Sequence, residues 1–495
     1  MKPLGTITIY LPFVDAETKQ LNLELMEKAE NYSNFSKQLT KYSCSQTVNE
    51  LSVYLTVHHA MQLYDFVSLD ELAKRYADVK IIQPSLYFAT SYLGNKPQWE
   101  KARKVADEMY QFSDSDWIKF EMLYRRLSLD VFNFSPDLKS HESIEKIEDL
   151  LKENPELKCF EYRFHDLMAQ LARVEGNHEE AIRRTDIALK LAQSMSDEYT
   201  EAHLHRIKAQ LIQRADHKLA EEHLRIAQSI IEDLGDEVGR GNVLHQLGVI
   251  NAVRGQYNSA IEYSLEAIRN RERLQLPFGI LASNMATLYN AAGDYENGLS
   301  WAELAEEELS QQSINFLRAR LVKAWSIACR GKVDEAKSIV DETRENILRS
   351  GMEPLLAQYY FTSGLIEFAQ KDYSLASSSF EQAYDINRRL GRAILDTVCL
   401  YYLARCEVIS AIVDDGNRDA DTSGHWLRLL EEVAESKDLS GIKAQSILLY
   451  SQFRLKQGRM NEAKTLLQKI DQYSQESGMK FLQNELRYLK AKLNQ

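Results

Sequence analysis

Two histidine clusters come nearest to metal or acid–base chemistry in this sequence: His58-His59 and His203-x-His205. Side chains one or two positions apart point to different faces of a helix, so neither pair holds one metal ion well. No carboxylate or cysteine stands at a supporting spacing, and the 5 cysteines form no CxxC pair. We therefore predict no metal site and no cofactor.

The sequence also lacks the motifs of enzymes and of DNA-reading proteins. It contains no GxxxxGK[ST], GxSxG, HExxH or GxGxxG segment. The segment SLDELAKRY from Ser68 is similar to the first helix of a helix-turn-helix, but an apolar segment with Pro84 follows it instead of a basic recognition helix. The net charge of -13 also disfavours binding to phosphates. We predict that the protein is not an enzyme and binds no nucleic acid.

The composition predicts a helical chain with a large core. The 495 residues are 44% hydrophobic, which excludes global disorder, and 8 prolines with 20 glycines are too few for a turn-dense all-β protein. No apolar run reaches the ~18 residues that span a bilayer, and the amino terminus lacks a cleavage site for a secretory signal. We predict a cytoplasmic protein without membrane association.

Six segments of the chain share one pattern, in which a turn residue is followed five positions later by a small residue. The turn residues are Gly176, Gly255, Gly293, Gly331, Lys371 and Gly458. The small residues are Ala181, Ala260, Gly298, Ala336, Ala376 and Ala463, and Ala220 fits with a turn one residue shorter. From Ala181 to Ala376 the spacings are 39, 40, 38, 38 and 40 residues, and the gap to Ala463 is 87, which leaves room for one irregular unit. A fixed period of this length indicates a repeat protein.

These repeats resemble the tetratricopeptide repeat (TPR) family, whose pattern is W-x2-L-G-x2-Y, a turn, and then A-x3-F. One unit shows the first half as Leu244, Leu247, Gly248 and Asn251, and the second half as Ala260, Ser264 and Ala267. The period exceeds the usual repeat of about 34 residues, which resembles the long-helix variant of bacterial signal-sensing regulators. The resemblance implies an all-α fold, a superhelical solenoid of TPR-like helix pairs.

We divide the chain into three parts on this basis. Residues 84–475 are expected to form a solenoid of about nine TPR-like units, and residues 476–495 a capping helix. Residues 1–83 are expected to form a divergent helical region, with a short strand-like arm at residues 6–14.

The TPR resemblance also implies which side chains face the concave groove, because inward positions recur along the first helix of each unit. Transferred to this sequence, these positions predict a polar ligand-binding stripe formed by Arg163, Arg173, His203, Arg206, Gln210, Gln213, Asn242, His245 and Asn290. Guanidinium groups pair well with carboxylates, so the stripe favours an acidic ligand. We expect Arg163 and Arg206 to face solvent in the empty protein. The alternative is that the stripe is only a solvated helix face.

Further along the chain the same positions become apolar, with Trp325, Phe361, Leu365, Phe368 and Tyr401 among them. These residues either line an aromatic stretch of the groove or belong to the core between repeats.

Two functions fit this sequence. The first is a non-catalytic scaffold or adaptor that binds a peptide or protein segment in the groove. The alternative is a ligand-responsive regulator whose solenoid changes shape on binding a small molecule or signal peptide.

Overall fold

A computed structural model of the chain describes residues 103–104, 106–107, 110–111, 116–132, 138–194, 198–213, 215–274, 276–309, 311, 314–413, 424–436 and 439–493. Within these ranges every regular element is helical, which confirms the predicted all-α fold. The strand-like arm at residues 6–14, the remainder of residues 1–83 and the His58-His59 pair lie outside the described residues.

The described chain contains nineteen α-helices and one 3-10 helix, Pro155–Phe160. The first ten are α1 (Asp116–Phe132), α2 (Leu138–Glu153), α3 (Glu161–Val174), α4 (His178–Ser194), α5 (Glu198–Ile212), α6 (His217–Leu234), α7 (Glu237–Val253), α8 (Tyr257–Arg273), α9 (Gly279–Ala292) and α10 (Tyr295–Glu308). The others are α11 (Ile314–Cys329), α12 (Val333–Ser350), α13 (Glu353–Ala369), α14 (Tyr373–Arg389), α15 (Ala393–Val413), α16 (His425–Ser436), α17 (Ser440–Lys456), α18 (Met460–Glu476) and α19 (Lys480–Leu493). The pair α15 and α16 fills the predicted irregular unit.

The turns inside the helix pairs confirm the predicted repeat register. All six predicted turn residues have a positive φ between 67° and 83°, including Lys371, the one non-glycine residue of the described chain with this conformation. A left-handed residue ends a helix by turning its last carbonyls toward the following N–H groups. The chain therefore has TPR-like helix pairs at the period that its sequence predicts.

The predicted small residues lie where the two helices of a pair touch. Ala181, Ala220, Ala260, Ala336, Ala376 and Ala463 are each 0% exposed. In the pair α7 and α8, a Cβ added at Gly248 would lie 2.6 Å from Ser264 Oγ and 3.0 Å from the Ala260 carbonyl oxygen. Only a residue without a side chain permits this approach, so steric contact explains the small positions of the repeat.

The chain divides into two compact units. Unit 1 contains the described residues up to Leu211 together with Glu222–Val243 and Arg269–Pro277, and unit 2 contains Ile212–Glu221, Leu244–Ile268 and the residues from Phe278 onward. Helices α1–α4 belong to unit 1 and α9–α19 to unit 2, whereas α5–α8 are each divided between them.

The core of unit 1 is built by α1, α2, the 3-10 helix and α3. Phe120, Leu127, Ile147 and Phe164 are buried in it, and the Phe120 ring stacks on Phe160 with 5.7 Å between centroids. This packing fixes the facing sides of α1 and α3, which carry the polar groups described below.

The core of unit 2 contains the aromatic residues for which the sequence allowed two places, the groove lining or the core between repeats. Trp325 and Phe361 are 1% and 0% exposed, and their rings meet edge to face with 4.7 Å between centroids. Leu365 and Tyr401 are also buried, and Phe368 is half-buried against Tyr402. These side chains pack between repeats, so the core interpretation is correct.

The carboxyl-terminal helices of unit 2 close back onto two turns much earlier in the chain. The Tyr473 hydroxyl donates to the Gly255 carbonyl oxygen at 3.1 Å, and the Tyr257 N–H donates to the Ser477 carbonyl oxygen at 2.7 Å. The Lys480 ammonium pairs with Asp294 at 2.5 Å. We call this set of contacts the closing contact; it joins α18 and α19 to the turns that precede α8 and α10.

Candidate functional site

Polar side chains that the TPR resemblance assigned to the groove lie on α3 and α5 of unit 1. Arg163 and Arg173 belong to α3, and His203, Arg206 and Gln210 belong to α5; all five are half-buried. Two carboxylates, Glu121 of α1 and Asp166 of α3, organise several of these side chains. We call Arg125, Arg163, Arg173 and Arg206 with Glu121 and Asp166 the arginine cluster.

Glu121 is the buried centre of one half of the arginine cluster. Its side chain is 2% exposed and accepts hydrogen bonds from Arg125 Nε at 2.7 Å and from Arg163 Nη1 at 3.1 Å. The Arg163 guanidinium also lies 4.4 Å from the centroid of the Tyr124 ring, a cation–π geometry. The expectation that Arg163 faces solvent is therefore wrong: its side chain is 18% exposed and is held by Glu121.

Asp166 is the centre of the other half. Its Oδ2 accepts from Gln170 Nε2 at 3.2 Å, whereas its Oδ1 is buried without a hydrogen-bond partner. Burial raises the pKa of Asp166 to about 6, although the charges of Arg206 and Arg173 act in the opposite direction. This carboxylate is poorly solvated, and its charged form depends on the arginines beside it.

Arg206 and His203 hold each other on α5. Arg206 Nη2 lies 3.1 Å from His203 Nδ1, and a guanidinium can only donate, so His203 must accept through Nδ1 and carry its proton on Nε2. That Nε2 lies 3.9 Å from Asp166 Oδ2. Arg206 is therefore oriented beside Asp166, and among the described residues His203 is the one hydrogen-bond partner of its donors.

The two histidines of the His203-x-His205 segment lie in different surroundings. His203 faces Asp166 and Arg206, whereas His205 is buried and its Nδ1 lies 2.8 Å from Nδ1 of His223 on α6. The two side chains point to different sides of α5, as their spacing predicted. In the ranges that the structure describes, no group of three or more His, Cys, Asp or Glu residues could hold a metal ion.

Histidine burial in unit 1 predicts a loss of stability in acid. The His165 side chain is 13% exposed, Arg184 Nη1 lies 3.1 Å from its Nδ1, and burial together with Arg184 lowers its pKa from 6.5 to about 4. Between these two values the unfolded chain binds a proton that the folded chain does not, so stability falls as the pH falls. At pH 5 this one group should destabilise the protein by about 2 kcal/mol relative to pH 7.5.

The variant His165→Asn tests this because Asn Oδ1 can accept from Arg184 without titrating. Urea unfolding at pH 7.5 and 5 should show a smaller acid loss in His165→Asn than in the parent protein. His425→Asn, at an exposed histidine, should lose as much as the parent. Equal acid losses in all three proteins would contradict the assignment to His165.

The other predicted stripe residues are placed differently. Asn242 in unit 1 is half-buried and accepts from Arg271 Nη2 at 3.5 Å. In unit 2, Gln213 is buried and accepts from Gln246 Nε2, His245 is half-buried beside Asn284, and Asn290 is 2% exposed. Asn290 donates to the Val322 carbonyl oxygen and accepts from Ser326, so it ties α9 to α11. The part of the stripe that the structure brings together and leaves accessible is thus on α3 and α5.

In the described ranges, no helix has the length and apolar character needed to cross a bilayer. The sequence reading missed Glu121, Tyr124 and Arg125 because it assigned groove positions only from α3 onward. The available signal was the spacing of Glu121 and Arg125, four residues apart on one helix face.

Comparisons with known proteins find likeness in solved structures alone. The chain is similar to the apo form of the quorum sensor NprR from B. thuringiensis, with 16% identity, 73% of this chain and 99% of that chain covered, and a TM-score of 0.41. It is similar to a Rap protein complexed with competence and sporulation factor (12% identity, 76% and 99% covered, TM-score 0.40) and to yeast Tom70 (13%, 97% and 96%, 0.32). No family model and no curated protein matches the sequence. Because these TM-scores are below 0.5, the TPR-like assignment rests on the helix pairs themselves.

Proposed function

We propose that the protein is a non-catalytic scaffold that binds a peptide or protein segment on the α3 and α5 face of unit 1. The observation that carries this proposal is the arginine cluster. Its four guanidinium groups lie with Glu121 and Asp166 on one face of unit 1, on a chain whose net charge is -13. Arginine side chains gathered on one face of an acidic protein suit an acidic segment.

The members of the arginine cluster have different contacts and therefore different roles. Arg163 and Arg125 are held by Glu121 and give the face its shape. Arg206 lies half-buried at the surface with His203 as the hydrogen-bond partner of one donor, so it is the member best placed to pair with a carboxylate of the ligand.

Binding can be measured by fluorescence anisotropy with labelled ten-residue peptides of acidic, neutral and basic composition. We expect the acidic peptides to bind, and Arg206→Ala to weaken that binding by about 1.5–3 kcal/mol, the value of a charge-assisted hydrogen bond. Arg206→Lys should recover part of the loss because an ammonium cannot make the planar two-point contact. Affinity should also fall as salt is added.

The control is Arg183→Ala, which removes an exposed arginine paired with Glu180 on α4, the second helix of the same pair. If Arg183→Ala weakens binding as much as Arg206→Ala, the peptides respond to net charge and not to this face. If neither variant changes the affinity of an acidic peptide that binds, recognition lies elsewhere on the chain.

A ligand-responsive regulator is the second candidate, and the closing contact favours it. Opening unit 2 at this place would require breaking the Lys480–Asp294 pair and the hydrogen bonds of Tyr473 and Tyr257. A bound ligand shifts such an equilibrium only if it prefers one of the two states. A change in scattering radius on peptide binding would distinguish a regulator from a passive scaffold.

A further inference from the structure

Among the residues that the structure describes, two arginines of unit 2 have no acidic partner. Arg318 lies on α11, and its Nε is buried without a hydrogen-bond partner. Arg392 immediately precedes α15. Among the described residues, no Asp or Glu oxygen lies within 4.0 Å of either guanidinium group. Both side chains therefore differ from those of the arginine cluster, which have carboxylates beside them.

The acceptors that these two arginines do use are neutral. Arg318 Nη2 donates to Asn284 Oδ1, and Arg392 Nη1 donates to the Pro354 carbonyl oxygen at 2.8 Å. A guanidinium has five N–H donors, so each group uses one of its five in these bonds. Asn284 is itself oriented by His245, whose Nε2 lies 3.1 Å from Asn284 Nδ2. The described part of the chain therefore holds the two arginines in place through neutral acceptors.

Both residues stand near the beginnings of first helices that pack on one another. Pro354 is in the first turn of α13, and α13 is joined to α11 by Thr362 Oγ1, which donates to the Leu321 carbonyl oxygen at 3.3 Å. The Arg392 carbonyl oxygen accepts from the Asp396 N–H at the start of α15. Helix amino termini carry partial positive charge, so they add to the electropositive character of this region.

Both side chains are half-buried, and a charge that is partly removed from water without a counter-ion is unfavourable. Burial lowers the pKa of Arg318 to about 10, and burial together with the nearby charge of Arg318 lowers the pKa of Arg392 to about 9. The two guanidiniums therefore repel each other in a poorly solvated place. Folded proteins normally pair such groups, and an oxyanion between them would supply the missing partner.

We propose that Arg318 and Arg392 form an oxyanion-binding site in unit 2 that takes a carboxylate or phosphate group. Both anions present two or more oxygen acceptors to the planar donors of arginine. This site uses none of the residues of the arginine cluster, and it lies in the other unit of the chain. The oxyanion site and the function proposed for α3 and α5 can therefore be tested separately.

Thermal unfolding of the full chain with sodium phosphate or sodium acetate, at an ionic strength matched with sodium chloride, tests the site. An anion that binds should raise the Tm by about 1–3 °C at roughly ten times its Kd. A response to phosphate alone identifies a phosphate site, and a response to acetate identifies a carboxylate site. If neither anion raises the Tm beyond chloride, the proposal is wrong.

Arg318→Met and Arg392→Met remove the charge and keep an unbranched side chain. Each should abolish the anion response, and without anion each should melt at or above the Tm of the parent because a poorly solvated charge has been removed. Arg320→Met is the matched control, two residues away on α11 and paired with Glu342 at 2.7 Å; it should keep the anion response. An anion response that persists in Arg318→Met or in Arg392→Met overturns the proposal. If one of these variants does not fold, the other still gives this result.

Discussion

Replacing Glu121 with leucine should lower the free energy of unfolding by about 3–5 kcal/mol. Leucine is close in size to glutamate, so the change removes the charge without opening a large cavity. Arg125, whose side chain is 5% exposed, would then lose its paired carboxylate while remaining buried, and Arg163 would lose the same partner. Urea unfolding followed by circular dichroism measures this loss.

Two further variants separate the buried charge from a general effect of losing glutamate. Glu345→Leu breaks a pair with Arg349 in which both side chains are well exposed, and it should change stability by less than about 1 kcal/mol. Adding Arg125→Met to Glu121→Leu should recover part of the loss, because an apolar pair can replace a buried ion pair. A Glu121→Leu variant as stable as Glu345→Leu would show that charge pairing does not hold α1 to α3.

Replacing Gly293 with alanine should cost about 3–5 kcal/mol, whereas the same change at Gly331 should cost only about 1–2 kcal/mol. Both glycines have φ of 83°, so the backbone penalty is common to the two variants. An added Cβ at Gly293 would lie 2.5–2.9 Å from Cβ, N and Cα of Phe481, whereas at Gly331 nothing lies within 4 Å. The difference between the variants therefore reports the contact between α19 and the turn before α10.

Thermal or urea unfolding of the two variants gives this difference directly. A lower Tm for Gly293→Ala than for Gly331→Ala is expected. If the two variants have the same Tm, α19 does not contact Gly293 closely in solution, and the closing contact is weaker than its geometry indicates.

The repeat register could be predicted because its signals are local. A turn residue such as Gly255 and a small residue such as Ala260 lie five positions apart, and both respond to one helix–turn–helix geometry. Even Lys371 was identified by its place in the period, although its residue type does not indicate a left-handed conformation.

The arginine cluster could be predicted only in part, because its pairs join distant parts of the chain. Arg163 and Glu121 are 42 residues apart, with the 3-10 helix between them, and no periodic pattern links them. The spacing of residues along one helix also does not show which side chains a neighbouring helix will cover. Arg206 is half-buried, whereas Trp325, which occupies a related position in another repeat, is 1% exposed. That difference depends on packing between elements, which residue spacing along one helix does not contain.

The closing contact changes how unit 2 should lose its structure. In most repeat arrays each unit depends only on its neighbours, so terminal units can fray or be truncated one at a time. Here Tyr473 and Gly255 are 218 residues apart and Lys480 and Asp294 are 186 residues apart, which gives the array a few contacts of high sequence separation. Such contacts form late and slowly, because the chain entropy of a long loop is lost before they are gained. A chain shortened before α18 would therefore uncover the turns that precede α8 and α10, far from the new end.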